Sequence, residues 1–213
     1  MGAKEMDSGK AVTILGELYG LAVGGIPKVS RPAEALAEDY LSRHPNVSRS
    51  ARDLIRHQVA KCGTSGFLSG LGGLITLPVA LPANLTSVLY VQMRMVAALA
   101  YMGGFDLHSD QVQTMVYMCL TGNAASQIAK STGIKFGEKA AVSAIEKIPG
   151  KTLTAINQKV GFRFLTKFGE KGIVNLGKMV PFVGAAIGGG IDSFSTRIIA
   201  SNAYRLFIKK KSL

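Results

Sequence analysis

The chain has no tryptophan, only two cysteines and three histidines, and far fewer acidic than basic residues, 13 against 25. Cys62 and Cys119 lie in apolar surroundings without CxxC spacing. They read as small buried hydrophobes in a reducing compartment, which sets aside a disulfide framework and a thiolate metal site. There is no GxxxxGK[ST] phosphate loop, no GxSxG elbow and no HExxH pair. The glycines from Gly66 to Gly73 lack the lysine and the preceding strand that a nucleotide loop requires, so they read as packing residues. No run alternates apolar and polar residues over more than a few positions, which removes the usual mark of half-buried strands. Met1 to Lys10 carries Lys4, Glu5 and Asp7 and shows no secretory signal.

What remains is an apolar, basic and glycine-rich chain. Its 213 residues suffice for one well-buried core without metal or disulfide. With 47% hydrophobic and 18% charged residues and a mean hydropathy of +0.25, it stands at the apolar edge of soluble proteins. The net charge of +12 is unevenly placed: residues 130–213 hold 15 Lys or Arg against 4 Asp or Glu, while the earlier residues are nearly balanced. Such a one-sided field calls for an anionic partner, here an anionic membrane lipid or a membrane protein. Nucleic acid is the weaker expectation. Phe162, Phe164 and Phe168 stand among Lys and Arg as base-stacking residues would, yet they share the period of a buried stripe, and no helix-turn-helix or strand platform accompanies them.

The periodicity along the chain is helical. The stretch from Ala11 to Pro27 places Gly16, Gly20 and Gly24 along one side of a helix, where a second backbone is expected to approach closely. Arg31, Pro32 and Glu34 open a short helix to about Ser42, with Leu36, Tyr40 and Leu41 as its apolar side. Ser50 and Asp53 have capping-box spacing and put the start of a third helix there. From Cys62 to Ala129 only Arg94, Asp106 and Asp110 are charged among 68 residues, which predicts deep burial or lipid contact. Within it, Gly66 and Gly70 lead into a run broken at Pro78 and Pro82, the pattern of a helical hairpin. Val88, Leu89, Gln92, Met93 and Val96 then follow the 3.6 period until Gly103 and Gly104, and Ser109 offers the cap of a further helix. A helix from Ala83 to Phe105 would be about 35 Å long, enough to span a bilayer. Arg94 at its middle would cost roughly 2.5 to 3.5 kcal/mol there, so burial in the protein or shallow entry is expected instead of a span.

The basic C-terminal part holds a short repeat, Lys135-Phe-Gly-Glu-Lys139 and Lys167-Phe-Gly-Glu-Lys171. Between the copies, Leu153, Ile156, Val160, Phe164 and Phe168 lie on one helix side, and Lys151, Lys159, Arg163 and Lys167 among the others. Basic amphipathic helices with aromatic residues lie on anionic membranes, and the same pattern also serves a core helix with a solvated face. The last element carries Gly184 and Gly188 as a small-xxx-small pair and Asp192 in an apolar stretch, where it is expected to pair with a cation or cap a broken helix. It ends in Lys209, Lys210 and Lys211, placed to strengthen adsorption to an anionic leaflet.

Candidate chemistry is sparse. Asp53 and His57 are one helical turn apart and form the weak candidate for an acid/base pair. Asp106, His108 and Asp110 alternate in a loop, which helix capping explains better than a metal. No cofactor and no metal is expected.

The Leu-Pro-Val-Ala-Leu-Pro-Ala-Asn run and Pro181-Phe-Val-Gly-Ala-Ala-Ile-Gly-Gly-Gly-Ile-Asp192, followed by a helix ending in Ala203-Tyr204, resemble the EcsC family over most of residues 50–208. The resemblance implies a helical bacterial protein with a membrane connection, and carries over no catalytic residues. Asp192 stands where the family pattern has a polar residue, often Asn. The resulting expectation is an all-α, single compact bundle: N-terminal helices over 1–49, an EcsC-like helical domain over 50–208 and a basic tail over 209–213. It would act from the cytoplasm, peripherally on the inner face of the cell membrane, through anionic lipid and through helix packing against a membrane partner or a second copy of itself. The alternatives are a cytosolic hydrolase using Asp53 and His57, and a soluble bundle enclosing an acyl chain.

Overall fold

A computed structural model describes residues 8–62, 83–136, 142–168 and 185–209 of the chain. Among these residues the fold is all-α. The helices are α1 (Ser8–Gly24), α2 (Ala33–Leu41), α3 (Val47–Cys62), α4 (Ala83–Met102), α5 (Asp110–Leu120), α6 (Ala125–Ser131), α7 (Val142–Glu146), α8 (Gly150–Phe168) and α9 (Ala185–Ala203). A 3-10 turn at Gly122–Ala124 precedes α6, and a π-helical turn at Tyr204–Ile208 follows α9.

The bundle is built around α4. From Thr86 to Ala100 every residue of this helix except Arg94 is buried, because α1, α2, α3, α5 and α9 all pack against it. Its low charge is therefore the composition of a core: each buried Leu, Val or Met contributes about 1.5–3 kcal/mol, and an unpaired charge would erase such a gain. No helix among the described residues is long and apolar enough to cross a membrane. A buried polar link through this layer is satisfied, since Gln92 Nε2 donates to Thr196 Oγ1 on α9 at 2.9 Å with both residues buried.

The N-terminal helices share this core. Leu15 and Leu18 of α1 and Leu36 and Tyr40 of α2 are buried in one cluster with Leu99 and Met115. The Tyr19 hydroxyl donates to the Leu107 carbonyl at 2.8 Å, and its ring meets Tyr117 edge-on at 5.9 Å.

Two local readings need correction. Helix α3 begins at Val47, three residues before the capping box placed it. The Asn46 side-chain oxygen accepts the Arg49 backbone N–H at 3.2 Å, which is the N-cap arrangement, while Ser50 is already inside the helix and buried. The Gly16, Gly20 and Gly24 series does not receive a second backbone among the described residues. A Cβ at Gly20 or Gly24 would meet nothing within 4 Å, and one at Gly16 only the Tyr117 hydroxyl at 3.7 Å. Helix α1 buries the neighbouring Ala11, Ile14, Leu15, Leu18 and Ala22 stripe instead, leaving the glycines on its outer side. Close approach occurs at Gly161 of α8, where a Cβ would lie 2.5 Å from the Ser8 carbonyl oxygen.

The hairpin expected around Gly66, Gly70, Pro78 and Pro82, most of the short repeat, Gly184, Lys210 and Lys211 lie outside the described residues. So do the side chains of Lys167 and Asp192; Gly188 and Asp192 fall within the backbone of α9.

Candidate functional site

Helix α8 starts where the Pro149 carbonyl accepts the N–H groups of Thr152 and Leu153, at 2.8 and 3.1 Å. From there the 3.6 period sets Leu153, Ile156, Val160 and Phe164 into the core, as the spacing predicts. This inner face packs on α1, α5 and α6. The outer face holds Lys151, Gln158, Lys159, Phe162 and Arg163, all exposed. Phe162 is 61% exposed. Arg163 is held upright by a 2.9 Å hydrogen bond to Gln127 Oε1 on α6, and α6 adds exposed Lys130 beside Gln127. An open groove of about 320 Å³ runs between the two helices, lined among others by Ile128, Ser131, Lys159 and Phe162. Helix α8 has no Asp or Glu, so the positive potential of this face is not cancelled along its own length. Of the three phenylalanines considered for base stacking, Phe164 is 7% exposed and belongs to the core, while Phe162 points outward. Lys209 is exposed at the end of the π-helical turn.

The candidate acid/base residues fall into separate pairs. Asp53 Oδ2 is 2.7 Å from His44 Nε2, and its other oxygen is 3.6 Å from Arg56. His57 Nδ1 is paired with the Tyr40 hydroxyl at 2.8 Å. The hydrogen bond from His44 holds the Asp53 carboxyl below its usual 3.8, making it a weaker base, the opposite of what a general base near neutral pH needs. Burial pushes the Tyr40 phenol up, so that hydroxyl stays protonated. In the Asp106–Asp110 loop, Asp106 Oδ1 accepts the His108 N–H at 2.9 Å, a turn-forming bond. Among the described residues no cluster of His, Cys, Asp or Glu could hold a metal. Both cysteines are buried and neither is in a disulfide, and burial pushes the Cys119 thiol up, away from the reactive thiolate.

A further charged group was legible only by its oddity. Arg94, the lone cation of the apolar 62–105 stretch, is partly buried with Lys61 of α3 and Arg31 of the α1–α2 loop within electrostatic reach. The sequence marks Arg94 as a buried polar residue, and the structure leaves it partly buried, with its Nε lacking a hydrogen-bond partner.

Fold and surface together define an all-α bundle wrapped around one buried helix, with a basic, aromatic-bearing amphipathic helix on its outside. Residues 43–210 match the family model of the EcsC protein family, and the chain belongs to that family. No curated protein and no solved structure matches it. Helices α1 and α2 precede the matched region, yet they complete its core.

Proposed function

We propose that this protein attaches peripherally to an anionic membrane surface, on the inner face of the cell membrane, through the outer side of α8. The observation that carries the reading is Phe162, 61% exposed on a well-packed helix and flanked in sequence by exposed Arg163 and, three residues earlier, by exposed Lys159. A large aromatic exposed among cations gains nothing from water, whereas at a bilayer interface the ring enters the acyl boundary and the cations meet phosphates. Each Lys or Arg near such a leaflet contributes about 1 kcal/mol before screening, and burying a Phe contributes about 1.5–3 kcal/mol. Neither part holds the protein alone; their sum gives reversible, salt-sensitive attachment. Phe194 on α9, 67% exposed and followed by exposed Arg197, repeats the combination and adds a second contact of the same kind.

The test uses vesicles containing phosphatidylglycerol. Phe162→Ser, and separately Lys159→Gln with Arg163→Gln, should each weaken sedimentation with the vesicles at low salt by about tenfold or more, the equivalent of about 1.4 kcal/mol or more, while the helical circular dichroism stays unchanged. Binding that is indifferent to both changes removes α8 from the attachment surface.

A further inference from the structure

The groove between α6 and α8 presents hydrogen-bond donors that nothing described in the protein accepts from. Arg163 can only donate, so the Gln127 amide meets it with Oε1, at 2.9 Å. This bond uses the amide oxygen and leaves Gln127 Nε2, together with the other guanidinium donors of Arg163, without a partner among the described residues. Lys159 lines the same groove. None of the ion pairs among the described residues involves Lys159 or Arg163, and neither α6 nor α8 contains Asp or Glu. The Ser131 hydroxyl spends its hydrogen on the Ile128 carbonyl at 2.9 Å, so that only its oxygen is left to accept.

The shape of the groove narrows what could accept these donors. Its volume of about 320 Å³ falls at the lower end of the ~300–1,000 Å³ of small-molecule sites, and it is open, so a ligand would be held at one end and project from the other. Its lining is apolar at buried Ile128 and at Phe162, which is 61% exposed. A second hollow of about 310 Å³, lined among others by Asn123, Phe164 and Thr166, shares Arg163 with the first. The guanidinium therefore stands between two hollows, fixed by Gln127 and reachable from both. An acceptor-only anion joined to an apolar body fits this combination; a free inorganic anion would leave Phe162 unused.

We infer that the α6–α8 groove is a stoichiometric site for the head group of one anionic phospholipid of the phosphatidylglycerol kind. The inference rests on the membrane reading of α8 and gives it a specific ligand. The phosphodiester accepts from Arg163, Gln127 and Lys159, the planar fork of Arg163 serving two phosphate oxygens at once. A glycerol hydroxyl of the head can donate to Ser131 Oγ, and the start of an acyl chain lies on Phe162 while the rest stays in the leaflet. A zwitterionic head would bring its own cation against walls that offer no carboxylate, so the same groove discriminates against it.

Calorimetric titration of the full chain with short-chain phosphatidylglycerol below its micelle concentration, where no bilayer exists, tests the groove apart from the surface. One lipid should bind per chain, saturably, and short-chain phosphatidylcholine and inorganic phosphate should each bind at least about tenfold more weakly. Arg163→Lys keeps the charge and loses the fork, and Gln127→Ala removes a donor and the support of Arg163. Each should weaken monomer binding by about tenfold, as loss of a hydrogen bond to a charged group does, with the helical circular dichroism unchanged because both side chains are exposed. Sedimentation of the parent chain with phosphatidylglycerol vesicles is measured beside it. Vesicle attachment without saturable monomer binding overturns the groove and leaves the membrane reading standing; monomer binding without vesicle attachment supports the groove and removes the membrane reading. The inference is also overturned if phosphatidylcholine or inorganic phosphate binds as tightly as phosphatidylglycerol, or if binding survives both substitutions unchanged.

Discussion

Asp53 gives its carboxylate to His44, which arrives from the turn after α2, and not to His57, its neighbour one turn along α3. The distinction follows from where the partners come from. His57 is drawn against α2, where Tyr40 meets it both by hydrogen bond and by a ring contact of 5.6 Å, so its Nδ1 is already committed. The depressed carboxyl of Asp53 has a consequence with a definite sign. Stability from this pair is present above the ordinary carboxylate value of 3.8 and is lost as pH falls through the lower folded value. Asp53→Asn should therefore lower Tm modestly at neutral pH, with the gap to the parent protein closing as pH drops below 3.8. Thermal melts across the acid range check this, and a gap that stays constant contradicts it. Residue types with chemical capacity were legible in the sequence here. Their pairing was not, because Tyr40 and His44 reach α3 through the tertiary packing of α2.

At the scale of the helices, periodicity was legible wherever a stripe faces the core. Leu153, Ile156, Val160 and Phe164 show this on α8, and Val112, Met115, Val116 and Cys119 on α5. The glycines were read less well, since four-residue spacing says they share a side of α1 without saying which way that side faces. The close helix contact rests on the isolated Gly161, whose sequence neighbourhood carries no such spacing. Gly161→Ala must push the Ser8 backbone away and should cost roughly 1–3 kcal/mol. Gly20→Ala meets open space and should instead stabilise α1 by roughly 0.5–1 kcal/mol through reduced freedom of the unfolded chain. Urea unfolding of the two variants compares them directly, and equal effects would mean that α1 and α8 do not meet at Gly161.

For the whole molecule, the charge-poor 62–129 region left burial in protein and contact with lipid open on composition alone. The described part of α4 resolves to burial, because five other helices cover it. The excess of cations after residue 130 then remains as the feature that the core does not use. Exposed Phe162 gives that excess a direction, since it puts an apolar anchor in the middle of a basic helix face. The most direct measurement is co-sedimentation of the full chain with phosphatidylglycerol vesicles and with phosphatidylcholine vesicles across a salt series. Peripheral attachment predicts binding to the anionic vesicles at low salt, release as salt rises past the point where the Debye length falls below about 8 Å, and little binding to the zwitterionic ones. Equal binding to both, or retention on either that salt does not weaken, would contradict the account.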